Sequence, residues 1–158
     1  MSITKFKNVD LSTLKVELKR ILTEGIEDPE VRRLTETAVK GNEDPIRKVY
    51  DFVKENFSYL PDPYTAELFI HPKLVASDYF QGRLRSMDCD DFALLGASML
   101  GSIGFHTQIV LLDYNFDNII DHAVAEIYSE KLQSWVTFDP TSDYPLGWDI
   151  KASRKVVV

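Results

Sequence analysis

The chain holds one cysteine, in the string Met87-Asp88-Cys89-Asp90-Asp91-Phe92-Ala93. Downstream come Asp121-His122-Ala123 and then Trp135-Val136-Thr137-Phe138-Asp139-Pro140-Thr141. A thiol, an imidazole and a carboxylate, in that order, are the parts of a nucleophile, a base and a group that orients the base. Acyl transfer through a thioester is the chemistry they suit. Singly, each has an ordinary structural use: a lone cysteine as a small buried hydrophobe, a strand histidine as a hydrogen-bonding group, an aspartate before proline as a turn. Their order and expected placement favour the chemical reading.

The elements that must position these groups can be read from pattern. Asp88 can cap a helix running from Cys89 to about Leu100, ended by Gly101 and Gly104. Phe92, Leu95, Met99 and Ile103 line one face and Ala93, Ala97 and Leu100 much of the rest, which predicts a central, buried helix. Short strands are expected at Gln108–Leu112, His122–Tyr128 and Ser134–Asp139. A hairpin turning around Glu130-Lys131, with a four-residue loop over 129–132, sets His122 directly across the ladder from Asp139. In that register His122, Val124, Trp135, Thr137 and Asp139 share a face, and the cysteine helix is expected on it. The dipole at the helix start and a nearby imidazolium favour the thiolate, while Asp88, Asp90 and Asp91 oppose it unless they point away to cap the helix or bind loop backbone.

The first forty residues read as helices. Leu11, Leu14, Leu18, Ile21 and Leu22 recur at helical spacing, with Gly25 as a stop; Asp28-Pro29 and Asp44-Pro45 start two more, the first ending near Lys40 at Gly41-Asn42 and the second by Tyr59. Pro61-Asp62-Pro63 forces an extended segment, and 64–86 is irregular. Helices, then a core helix, then an antiparallel meander make an α+β fold. One domain over 1–158 is expected, with a helical extension at 1–44, a core at 45–148 and a tail at 149–158.

Composition narrows the classes. The chain has 158 residues, 44% of them hydrophobic, and carries a net charge of −7. The acidic balance and the lack of a basic cluster argue against nucleic acid as a partner. No run is long enough for a membrane span, and Met1–Lys7 lacks the apolar stretch of a signal peptide, so no membrane partner and a cytoplasmic location are expected. A single cysteine cannot form an internal disulfide.

Three blocks, Asp88-Cys89-Asp90-Asp91-Phe92-Ala93, His122-Ala123-Val124-Ala125-Glu126-Ile127 and Trp135-Val136-Thr137-Phe138-Asp139-Pro140-Thr141, together resemble the transglutaminase-like superfamily with its papain-like cysteine fold. The resemblance runs from about Ile46 to Trp148 and includes Val53-Lys54-Glu55-Asn56-Phe57-Ser58-Tyr59. It implies Cys89 as nucleophile, His122 as base and acid, and Asp139 as orienting carboxylate. Ser86-Met87 stands where the family often has Gly, and Val124 where many members have Trp, which bears on the approach turn and the substrate tunnel. Tyr59-Leu60-Pro61-Asp62-Pro63 and Gly147-Trp148 are similar to compact domains of tailed-phage gene sets, which implies a virion-associated location if the chain is phage-encoded.

The expected activity is thiol-dependent hydrolysis of an amide in a protein or peptide substrate, with crosslinking as the alternative outcome of the same thioester. The Cys89 backbone N–H is the first oxyanion donor considered, with Gln81 or Tyr79 as a side-chain second. A catalytically silent binding or assembly module is the competing class; Val156-Val157-Val158 suits either a partner surface or a local edge strand. No cofactor is expected. Asp113, Asn115, Asp117 and Asp121 have the spacing of a calcium loop, yet position twelve is Val124 instead of glutamate, so a polar hairpin loop is the default. Cys89, His71, His106 and His122 lack zinc spacing, so no metal site is assigned.

Overall fold

A run apolar on every side, Phe92 to Leu100, can be stable in water only if other elements wrap it. In the computed structural model, which describes residues 3–6, 10–41, 43–61, 67–83 and 85–158, this run lies in helix α5 (Cys89–Ser102), and every residue from Asp91 to Leu100 is buried. Helices α1 (Leu11–Glu27), α2 (Pro29–Ala38) and α3 (Pro45–Asn56) pack against it from one side. A sheet covers the other. Mixed helices and antiparallel sheet give the α+β architecture expected.

Aspartates start the three wrapping helices. Asp10 accepts the Thr13 N–H, Asp28 those of Glu30 and Val31, and Asp44 that of Arg47, each satisfying donors that a helix start leaves open. Gly25 does not stop α1, contrary to expectation. It is buried two residues before the end, where a Cβ would sit 2.3 Å from Ser98 Oγ of α5, so it permits close helix approach. Nor is the N-terminus wholly helical. Strand β1 (Ile3–Phe6) pairs antiparallel with β3 (Glu67–Ile70). Leu18, Ile21, Val31 and Leu34 join the same core as Leu94 and Leu95, so the first two helices are built into the core that the cysteine helix occupies.

The stretch expected to be irregular carries structure. Beyond β3 lies helix α4 (Pro72–Phe80), with Pro72 at its first turn and Val75 and Ala76 buried against the core. Its mixed apolar and polar residues leave no clear helical stripe, which hid it. The extended segment expected at Pro61-Asp62-Pro63 lies mostly outside the described residues. A two-residue strand β2 (Ser58–Tyr59) then pairs in parallel with β4 (Ser86–Met87), and Leu60 N–H donates to Met87 O at 2.8 Å. Buried Asp78 accepts from Arg83 Nη2 at 3.2 Å and from Arg85 Nε, tying the end of α4 to the strand that delivers Cys89.

The main sheet is antiparallel, in the order β7 (Ser134–Phe138), β6 (His122–Ser129), β5 (Thr107–Asp113), β8 (Arg154–Val157). The C-terminal valines take part in a local edge strand: Val156 pairs with Leu111 and Val158 N–H donates to Ile109 O. The β6–β7 register differs by two residues from that expected. Ser129 pairs Ser134 and Ala125 pairs Phe138, because the loop occupies 130–133 and closes through Gln133 at φ 52°. A two-residue shift preserves which residues share a face.

The face covered by α5 is the other one, carrying Ala123, Ala125, Ile127 and Phe138. Small residues there let the helix come close: a Cβ on Gly96 would lie 2.4 Å from the Phe138 ring, which is fully buried and edge-on to Tyr50. Val124 points away, packing with Val110, Leu112, Ile150 and Ala152, so it does not shape a tunnel at the cysteine.

Gly96→Ala should lower stability despite the gain of about 1 kcal/mol in helix propensity, because overpacking costs about 1–3 kcal/mol and the contact is severe. Gly96→Val should lose about 2 kcal/mol or more, measured as a shift in urea midpoint.

Candidate active site

Helix α5 starts where its first turn is needed. Asp88 accepts the Asp91 N–H and Asp91 accepts the Asp88 N–H, both at 3.2 Å, a reciprocal cap that leaves Cys89 as the first helical residue. The second Asp91 oxygen accepts Ile70 N–H at 2.8 Å, fastening the helix start to β3. These two aspartates do bind backbone, as expected. Asp90 does not turn away: its Oδ1 lies 4.0 Å from Cys89 Sγ and it lines the cleft beside the thiol.

Sheet and helix meet at the first residues of β6. The backbone N–H of Ala123 favours the anionic form of the Cys89 sulfur. His122, one residue earlier, lines the same cleft of about 210 Å³ as Cys89. Its Nε2 lies 2.8 Å from Asp139 Oδ2, so the expected contact forms although the two are not paired directly on the ladder. In the observed register they are diagonal neighbours, and Asp139, one residue beyond β7, reaches the ring as the chain turns at Pro140. Asp139 Oδ1 accepts from the Thr141 hydroxyl at 2.6 Å and Thr141 N–H at 3.2 Å. Burial raises the Asp139 carboxyl, but the hydrogen bonds from His122 and Thr141 outweigh it and hold the group below the ordinary carboxylate value.

The thiol experiences the opposite balance. Burial first, then the charges of Asp90 and Asp88, push Cys89 well above the usual thiol value, with the Ala123 N–H as the opposing influence. Asp91, buried beside Asp88, is also raised, by burial first and then by that neighbour.

Gln81 and Tyr79 are not brought to the cleft. Both belong to the end of α4: Gln81 is exposed, donating to Ser77 Oγ, and the Tyr79 ring sits 5.4 Å from those of Phe52 and Phe80. Regular helix in place of an open loop carries them elsewhere. Tyr59 lines the cleft instead, delivered by the β2–β4 pairing. Its phenol is raised by burial and then by the charges of Cys89, Asp88 and Asp90, so it stays a proton donor. Leu14 of α1 and Ile120 add apolar wall. The Phe57-Ser58-Tyr59 block carried the signal for Tyr59, whereas nothing local marked Leu14.

The 113–121 loop uses its acids on its own backbone. Asp113 accepts the N–H groups of Asn115, Asp117 and Asn118, and Asp121 accepts that of Tyr114. Among the described residues no group of three or more His, Cys, Asp or Glu is disposed to hold a metal ion.

Comparison with known proteins now bears on this geometry. A profile of the transglutaminase-like superfamily matches residues 31–140, more than half of the chain. The chain belongs to that superfamily. Its fold is similar to that of a provisionally named cysteine protease from Cytophaga hutchinsonii (TM-score 0.53, 18% identity, 88% of this chain and 49% of that one). It is likewise similar to a provisionally named protease from Parabacteroides distasonis (TM-score 0.57, 14% identity, 83% and 26%). This chain thus spans half or less of the length of these solved chains. Comparison with curated protein sequences gave no significant match.

Because the folded protein holds a proton on Asp91 more tightly than the unfolded chain does, that proton's stabilisation is complete below the ordinary carboxylate value. It is lost as pH rises from there through the raised folded value. Asp91→Asn should therefore flatten the decline of the urea midpoint across this window, whatever constant cost the lost acceptor adds.

Proposed function

We propose that this domain is a cysteine-dependent acyl-transfer enzyme acting on amide bonds, with hydrolysis of a protein or peptide substrate as its outcome. The observation carrying the reading is the His122–Asp139 pair at 2.8 Å in the cleft that Cys89 lines at the start of α5. Asp139 occupies Nε2, which fixes the ring and leaves Nδ1 for the thiol proton. The thiolate attacks the amide carbon, the C–N bond breaks, and His122 passes the proton to the departing amine. Water then attacks the thioester, gives its proton to His122, and releases the acid and the thiol. An amine in place of water gives a crosslink by the same chemistry.

The negative oxygen formed in each step calls for donors. The Cys89 backbone N–H at the helix start is one. Tyr59, a protonated phenol in the cleft, replaces Gln81 and Tyr79 as the side-chain candidate. A second reading, a binding module without turnover, has one observation in its favour: burial and two aspartates keep the thiol protonated. Counter-effects come from the helix start and from an imidazolium on His122.

Cys89→Ala should abolish peptide-library cleavage, and retained cleavage would reject the scheme. Tyr59→Phe should lower kcat by about 10²-fold with little change in KM, as loss of one oxyanion donor does. Iodoacetamide alkylation of wild type should show a thiolate-dependent rate whose pH profile shifts upward in His122→Ala; an unshifted profile would favour the binding module.

A further inference from the structure

Asp139 stands just outside the ladder that would otherwise hold its backbone. The β6–β7 pairing ends at the Ala125–Phe138 rung, and the next residue, Pro140, has no N–H to donate. The carboxylate is oriented instead by the chain that follows. Thr141 N–H and hydroxyl both donate to Asp139 Oδ1. The direction of the other oxygen, the one on His122, therefore follows the path of the 139–144 backbone.

Helix α3 grips that backbone. Ile46, Val49, Tyr50 and Val53 form its buried face, and only Tyr50 among them carries a polar side-chain atom. Tyr50 is 3% exposed, and its ring meets Phe138 edge-on at 5.4 Å between centroids. Its hydroxyl donates to Tyr144 O at 3.2 Å, with Asp139 O at 3.5 Å as the longer arm of a shared bond. One phenol thus touches the residue before Asp139, Asp139 itself and the far end of the turn. Two neighbours support the same stretch. Ser142 Oγ donates to Asp139 O at 3.3 Å, and Lys54 Nζ, one helical turn beyond Tyr50, donates to Ser142 O at 3.1 Å. A phenylalanine at position 50 would pack on Phe138 equally well. The buried hydroxyl adds only the hold on these carbonyls, which is what offsets the cost of burying it.

We propose that Tyr50 is a positioning residue for the His122–Asp139 pair, acting through the 139–144 backbone and Thr141, with Ser142 as the second hydroxyl on the same carbonyl. Its effect on turnover rests on the acyl-transfer reading; its effect on the imidazole does not.

Tyr50→Phe keeps the ring and deletes the hold. With a cleaved peptide, kcat should fall about tenfold and KM should stay within about twofold, because the orientation of the base counts in the transition state. In protein labelled with ¹⁵N-histidine, the Nε2 proton shared with Asp139 should exchange with water at least about threefold faster in Tyr50→Phe than in wild type. The control removes another buried hydroxyl: Thr35, bonded to Val31 O and to Met99 O near the other end of α5 from Cys89. Thr35→Val should lower the urea midpoint and leave both readouts unchanged. In a cleaving wild type, failure of either readout to move in Tyr50→Phe overturns the proposal, as does an equal change in Thr35→Val. If Tyr50→Phe does not fold, Ser142→Ala is read by the same two measurements, and no change in them overturns the proposal. If the wild type cleaves nothing yet Tyr50→Phe quickens the exchange and Thr35→Val does not, acyl transfer falls and the positioning role stands.

Discussion

The hydrogen bond between His122 Nε2 and Asp139 Oδ2 sets what this site can do, because it fixes an imidazole at the one place where α5 begins. Neither partner is held by the other alone. His122 opens β6, Asp139 follows β7, and Thr141 takes the second carboxylate oxygen through both its hydroxyl and its N–H. The carboxylate thus has little freedom to rotate away from the ring. The helix side is held as firmly, by the Asp88–Asp91 cap, by Ile70 N–H on Asp91, and by the β2–β4 pairing just before it. A thiol placed at the start of a helix that is buried from Asp91 to Leu100 has little room to drift.

That rigidity has an electrostatic consequence. The residues that cap α5 are acids, and acids beside a thiol keep it protonated. The helix dipole, the Ala123 N–H and an imidazolium on His122 act in the other direction. Such a balance favours the protonated thiol at rest.

Much of this was readable in the residues. The apolar run after Cys89 and the acid before it specified a capped, buried helix, and alternation specified the strand that begins with His122 and the one that ends just before Asp139 within a residue or two. Register was less legible, since it turned on Gln133 accepting a left-handed backbone that glycine or asparagine would have announced. Alternation told which residues share a face and could not tell which face α5 covers; the small pair Ala123 and Ala125, opposite Gly96, was the available clue. Gln81 and Tyr79 were misplaced because α4 lacks a helical stripe, and Leu14 reaches the cleft through packing between segments far apart in sequence.

The most direct test is intact-mass spectrometry of the acid-quenched protein during turnover of an amide substrate. The account predicts a hydroxylamine-sensitive acyl adduct on Cys89, present in the wild type and missing from His122→Ala. Turnover without any adduct on Cys89, or an adduct that forms equally fast once His122 is removed, would contradict it.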